Sequence, residues 1–147
     1  MDGKKVLVPS LLLPLSPKTC DPDYYLNKKH LNFAFAQINP KNKKLQFMNS
    51  FDEDFYRAFT DLKIKKPSLK CFLAVGGWDA GGKVFSEMAD TKEHRKAFID
   101  SVKSTLSKYN FDGVDLDWEY PVADDRGKID STIISPTIYS NKAYGYV

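Results

Sequence analysis

The stretch Asp112-Gly113-Val114-Asp115-Leu116-Asp117-Trp118-Glu119-Tyr120-Pro121 sets the terms for the whole chain. Apolar residues alternate with acids, and Pro121 ends the run because proline has no N–H for a ladder. The pattern predicts a strand from Val114 to Tyr120. Side chains on a strand point to alternate faces. Asp115, Asp117 and Glu119 therefore share one face, with neighbours about 6–7 Å apart. Val114, Leu116 and Trp118 share the other, which suits packing against helices. Carboxylates in line on a buried strand are costly, since burial and mutual repulsion both disfavour their ionised forms. Such a row is tolerated where acids share protons, hold a metal or do acid–base work. Three readings follow: a satisfied polar ladder, a hard-cation site, or general acid catalysis by Glu119 tuned by the aspartates. Cation sites draw mostly on loops with carbonyl and Asn ligands. Four acids at fixed spacing, an adjoining glycine and flanking Trp118 and Tyr120 favour the third.

Outward from this strand the chain alternates strand and helix patterns. Leu31 to Ile38 reads as a buried strand ended by Asn39-Pro40. A helix is expected from Asp52 to Leu62, with Phe55, Ala58, Phe59 and Leu62 at helical spacing and Asp52 to Asp54 at its positive end. Lys70 to Val75 is a second strand, running into Gly76-Gly77-Trp78 and then Gly81-Gly82. Paired glycines after a strand permit a sharp turn or close backbone approach to a ligand. A short helix is expected from Val84 to Met88. A longer one runs from Thr91 to Tyr109, with Asp90 and Glu93 at capping-box spacing and Ile99, Val102, Leu106 and Tyr109 as its apolar stripe. Asn110 is its stop. Strand, helix, strand, helix, strand implies a parallel α/β architecture, either doubly wound or a (β/α)8 barrel. No G-x-G-x-x-G or Walker motif supports a nucleotide site.

Composition narrows the classes. The 147 residues suit one globular domain, and 42% hydrophobic with 14% aromatic content argues against disorder. A net charge of +3, from 22 basic and 19 acidic residues, is too balanced to imply a nucleic acid partner. Cys20 and Cys71 have no metal-site spacing and form one disulfide or none. Lys4 and Lys5 precede the apolar run Val6 to Leu15, but Pro9 and Pro14 interrupt it and no small-residue cleavage site follows. It reads as a buried segment or misplaced start rather than a secretory signal. No run is long enough to span a membrane. Ile129 to Val147 has no strand–helix unit, though its β-branched and aromatic residues suit a strand along an open edge.

The acidic stretch resembles the D-G-x-D-x-D-W-E signature of the family 18 glycoside hydrolases, the chitinase family. Leu31-Asn32-Phe33-Ala34-Phe35 is similar to that family's second barrel strand. Ala74-Val75-Gly76-Gly77-Trp78 is similar to its S-x-G-G motif, with Ala74 in place of the serine. The runs around Cys20-Asp21, Asp79 to Phe85 and Pro121 to Gly127 resemble filamentous-fungal class V chitinases.

The resemblance implies an α/β fold: a partial (β/α)8 TIM barrel, roughly its first half. Residues 19–128 would be the N-terminal half of the catalytic domain, 1–18 an N-terminal segment of uncertain character and 129–147 a non-family tail. A full barrel takes about 250 residues, so the chain is expected to be truncated and inactive alone. The implied function is hydrolysis of β-1,4-linked N-acetylglucosamine polymers. This family is an exception to the two-carboxylate scheme, because the substrate's acetamido group is the nucleophile. Glu119 matches the acid, Asp117 the residue that orients the acetamido group, and Asp115 its proton-sharing partner. Phe35, Gly77, Trp78 and Tyr120 match residues lining the cleft. No cofactor or metal is implied, and the partners are chitin or chito-oligosaccharides, with no nucleic acid and no membrane. The family implies secretion. The alternatives are a non-catalytic chitin-binding lectin or a vestigial fragment.

Overall fold

The computed structural model describes residues 27–119 and the backbone of two short strands, Leu7–Val8 and Gly145–Tyr146. Cys20, Tyr120 and most of the tail lie outside the described residues. The elements in order are β1 (Leu7–Val8), β2 (His30–Ile38), β3 (Leu45–Gln46), α1 (Asp52–Thr60), α2 (Leu62–Lys65) and β4 (Lys70–Gly76). A 3-10 turn (Trp78–Ala80), α3 (Lys83–Asp90), α4 (Lys92–Tyr109), β5 (Gly113–Asp117) and β6 (Gly145–Tyr146) follow.

The sheet runs β1-β2-β4-β5-β6, with β3 paired antiparallel to the end of β2. β1, β2, β4 and β5 are parallel, and Ala34, Ala74 and Asp115 stand in one register across three of them. β6 is antiparallel to β5 at Gly113 and Val114, so part of the tail does lie along that edge. Parallel neighbours require crossovers, and here these are α1–α2 and α3–α4.

Both crossovers pack on the same face. Leu31, Ala36 and Ile38 of β2 and Cys71, Leu73 and Val75 of β4 share one core with Tyr56, Phe59, Phe85, Met88, Phe98, Val102, Leu106 and Tyr109 from the helices. Val114, Leu116 and Trp118 pack against that core. Strand order advancing in one direction with helices on one face is the barrel arrangement; a doubly wound sheet would place them on both.

Local details depart from the sequence patterns in ways packing explains. The first helix ends at Thr60, and its buried residues are Asp52, Tyr56, Phe59 and Thr60, while Ala58 is exposed. Tyr56 is 1% exposed and meets Phe33, Phe47, Tyr109 and Phe111 edge-on. Aromatic rings prefer that geometry, and the cluster rotates the helix away from the Phe55–Ala58 stripe. Asp52 is buried because its carboxylate accepts from the N–H groups of Met48 and Asn49, both at 2.8 Å.

In α4 the stripe is Phe98, Val102, Leu106 and Tyr109; Ile99 is 42% exposed. The cap is Thr91 rather than Asp90: its hydroxyl accepts from His94 N at 3.1 Å, stabilising the helix end by about 1 kcal/mol. Asn110 stops the helix as expected, in the left-handed conformation at φ 58°.

Candidate active site

β2, β4 and β5 are parallel, so their C-terminal ends meet at one edge of the sheet, where barrel enzymes carry their chemistry. Because Val114, Leu116 and Trp118 face the helices, alternation turns Asp115 and Asp117 to the opposite, inner face. Trp118 stacks on Phe85 with ring centroids 5.4 Å apart and planes 13° apart. β5 ends at Asp117, short of the expected Tyr120, so Glu119 stands past the strand on the segment leaving it. Asp115 is buried, whereas Asp117 and Glu119 are partly exposed. The row therefore grades from a buried acid to accessible ones as the strand leaves the sheet.

Asp112, the first acid of the motif, belongs to the frame. Its carboxylate accepts from Cys71 N at 2.9 Å, Lys63 Nζ at 3.0 Å and Lys70 Nζ at 2.9 Å. Partial burial pushes its acidity the other way. The Cys71 N–H and the two ammonium groups outweigh that and hold the carboxyl below its ordinary value. Asp112 thus fastens the start of β5 to β4 and sets the height at which the later acids emerge.

The glycine pair completes the frame at the other end. Gly77 N donates to Asp117 O at 3.0 Å, prolonging the β4–β5 ladder past Gly76. Gly76 has φ 108°, and a Cβ there would lie 2.5 Å from Phe85 Cζ and 2.6 Å from Asp117 O. No side chain fits, so the backbone of β5 sits against this residue. Gly77, at φ 83°, would carry a Cβ 3.1 Å from the Phe35 ring.

Phe35 lies where the β2–β4 register slips between Ala34 and Ala36, across a cis Ala34–Phe35 peptide. Its ring lies against the Gly77 turn. Trp78 follows at once and is 59% exposed. Phe35, Gly77, Trp78, Asp115, Asp117 and Glu119 thus belong to adjacent strand ends, while Tyr120 lies outside the described residues.

Two polar residues on β2 were not singled out in the sequence. Asn32 Nδ2 donates to Asp115 Oδ2 at 2.6 Å, and Gln37 Nε2 reaches Gly76 O at 3.5 Å. Their inward alternation, opposite Leu31, Phe33 and Ile38, was the signal available. Among the described residues no group of His, Cys, Asp and Glu is arranged to hold a metal ion. No described helix is long and apolar enough to cross a membrane.

Comparison with known proteins places this geometry. Residues 21–136 match the model for glycosyl hydrolases family 18. An endochitinase of Manduca sexta is 43% identical over 101 residues, covering 67% of this chain and 18% of the relative. The solved Group IV chitinase of Ostrinia furnacalis superposes with a TM-score of 0.64 at 38% identity, over 72% of this chain and 28% of that one. Human YKL-39, described as a pseudo-chitinase with retained chitooligosaccharide binding, superposes with a TM-score of 0.63 at 35% identity, over 75% of this chain and 29% of its own. The chain thus spans less than a third of the length of each of these relatives. The parallel sheet with its helices on one face is a segment of their TIM barrel, and the chain belongs to glycosyl hydrolases family 18.

Proposed function

We propose that the site serves hydrolysis of β-1,4-linked N-acetylglucosamine polymers with retention of configuration, Glu119 acting as the general acid. The observation that carries this reading is the row of acids on the inner face at the C-terminal end of β5, held between the Asp112 fastening and the Gly76–Gly77 turn. Glu119, standing past the end of β5, protonates the glycosidic oxygen. The substrate's acetamido oxygen attacks the anomeric carbon, the leaving sugar departs with that proton, and an oxazolinium ion forms. Asp117 orients the acetamido N–H and stabilises the cation, with Asp115 as its partner. Glu119 then takes a proton from water, which opens the oxazolinium and restores the original configuration. Phe35, Gly77, Trp78 and Tyr120 line the cleft, and chito-oligosaccharides are the ligands. The family resemblance further supports a secreted protein.

A second reading is binding without cleavage. It is favoured by the likeness to YKL-39. Retained Glu119 weighs against it.

The assay is hydrolysis of fluorogenic chito-oligosaccharides by residues 1–147 and by a chimera that appends the later barrel strands of the Ostrinia furnacalis chitinase. The chain alone is expected to be inert or nearly so, because the acid, its helper and the sugar must be held in fixed relation. The chimera is expected to cleave, and Glu119→Gln to lower its rate by about 10²–10⁴-fold while sparing chitotetraose binding. A folded chimera that binds without cleaving sinks the enzymatic reading and leaves the lectin one.

A further inference from the structure

Asn32 belongs to the inner face of β2, since Leu31 is in the helix-facing core and Phe33 packs against it. Asp115 lies on the inner face of β5. The two strands are not neighbours, because β4 runs between them, and two strand spacings amount to about 9–10 Å. Asn32 is level with Phe72 of β4 and Asp115 with Ala74. The side-chain hydrogen bond therefore crosses β4 diagonally, from the level of Phe72 to that of Ala74, which presents only a methyl group, and Asn32 Nδ2 donates to Asp115 Oδ2 at 2.6 Å.

An amide N–H gives a hydrogen bond and cannot take one, so Oδ2 of Asp115 is held as an acceptor. A donor favours the charged form of the carboxylate it touches. We infer that Asn32 is a positioning residue for the acid row: it holds Asp115, at the base of that row, as an ionised hydrogen-bond acceptor. The catalytic meaning of this role rests on the proposed hydrolase function, whereas the protonation of Asp115 can be read with no substrate present. The other titratable groups on this face are Asp117 and Glu119 from the same segment, His30 at the start of β2 and Lys70 at the start of β4. His30 lies against the Phe72 ring, and Lys70 reaches Asp112.

The test is carboxyl-carbon NMR of aspartate-labelled residues 1–147 against pH, with Asp115 assigned through Asp115→Asn. Asn32→Leu removes the donor, and Asn32→Asp replaces it with a like charge at nearly the same size. Asp115 is expected to titrate about one pH unit higher in either variant. Asp112, fastened by Cys71, Lys63 and Lys70, is the internal control and is expected to titrate as in the parent. A lower melting temperature with Asp115 unmoved would make Asn32 a packing residue and overturn the inference. Should Asn32→Leu fail to fold, Asn32→Asp alone decides. If Asp115 moves as expected but the folded chimera cannot cleave chito-oligosaccharides, the hydrolase reading fails and the positioning role stands.

Discussion

Replacing Gly76 with alanine tests the idea that the catalytic strand is seated on a residue with no side chain. The backbone there has φ 108°, and the new Cβ would sit 2.5 Å from Phe85 Cζ and 2.6 Å from Asp117 O. The left-handed conformation costs an L-residue about 1–2 kcal/mol. Overpacking adds about 1–3 kcal/mol, because neither neighbour can yield cheaply. The Phe85 ring is 1% exposed and backed by Trp118, and Asp117 O already accepts from Gly77 N at 3.0 Å. Losing that bond would forfeit about 1 kcal/mol. The sum is about 3–6 kcal/mol of stability, with β5 displaced at the residue proposed to orient the substrate.

Gly81 is the control for Gly76. It also has positive φ, at 69°, but nothing lies within 4 Å of its added Cβ, so Gly81→Ala should cost only about 1–2 kcal/mol. Gly77→Ala, 3.1 Å from the Phe35 ring, should fall between them. Urea unfolding of the three variants, followed by circular dichroism, measures the ranking. If Gly76→Ala proves no more destabilising than Gly81→Ala, the claim that Gly76 seats the catalytic strand is refuted.

Asp112→Asn should cost about 1–3 kcal/mol near neutral pH, because it weakens the acceptor for Cys71 N and removes the charge between two lysines. The carboxyl is held below its ordinary 3.8, so its contribution is present above that value and lost as pH falls through the lowered one. The gap between parent and variant should therefore close in acid, and a pH-independent gap would contradict the assignment. Tyr56→Phe removes a buried hydroxyl with no hydrogen-bond partner among the described residues. It should raise stability by about 1 kcal/mol in thermal or urea unfolding, and a clear loss would mean that the hydroxyl is satisfied. Trp78 is 59% exposed, so Trp78→Ala should change stability by less than about 0.5 kcal/mol. By calorimetry it should weaken chitotetraose binding by up to about tenfold, and unchanged affinity would remove Trp78 from the cleft.

The alternation of Asp115, Asp117 and Glu119 with Val114, Leu116 and Trp118 was legible without coordinates. A strand's two-residue period is local, and a hydrophobic face can only turn toward the helices. The order of elements, the Asn110 stop and the Gly76–Gly77 turn were legible for the same reason, each following from the backbone preferences of a few adjacent residues. The family resemblance supplied the roles proposed for the acids, which periodicity alone left open between a ladder, a cation site and an acid.

What only the tertiary structure decided lies between segments distant in sequence. Tyr56 displaced the Phe55–Ala58 stripe because its edge-on contacts with Phe33, Phe47, Tyr109 and Phe111 outweigh the periodicity of one helix, and in α4 it is Phe98 that enters the core while Ile99 is exposed. Asp112 looked like a fourth site acid until Lys63, Lys70 and Cys71 N were seen to converge on it. Asn32 looked like an ordinary strand residue until it was seen to reach Asp115 diagonally across β4. Sequence records which side chains a strand can offer to a face. Which partners meet there depends on strand order and stagger, and those are set by the packing of the whole sheet.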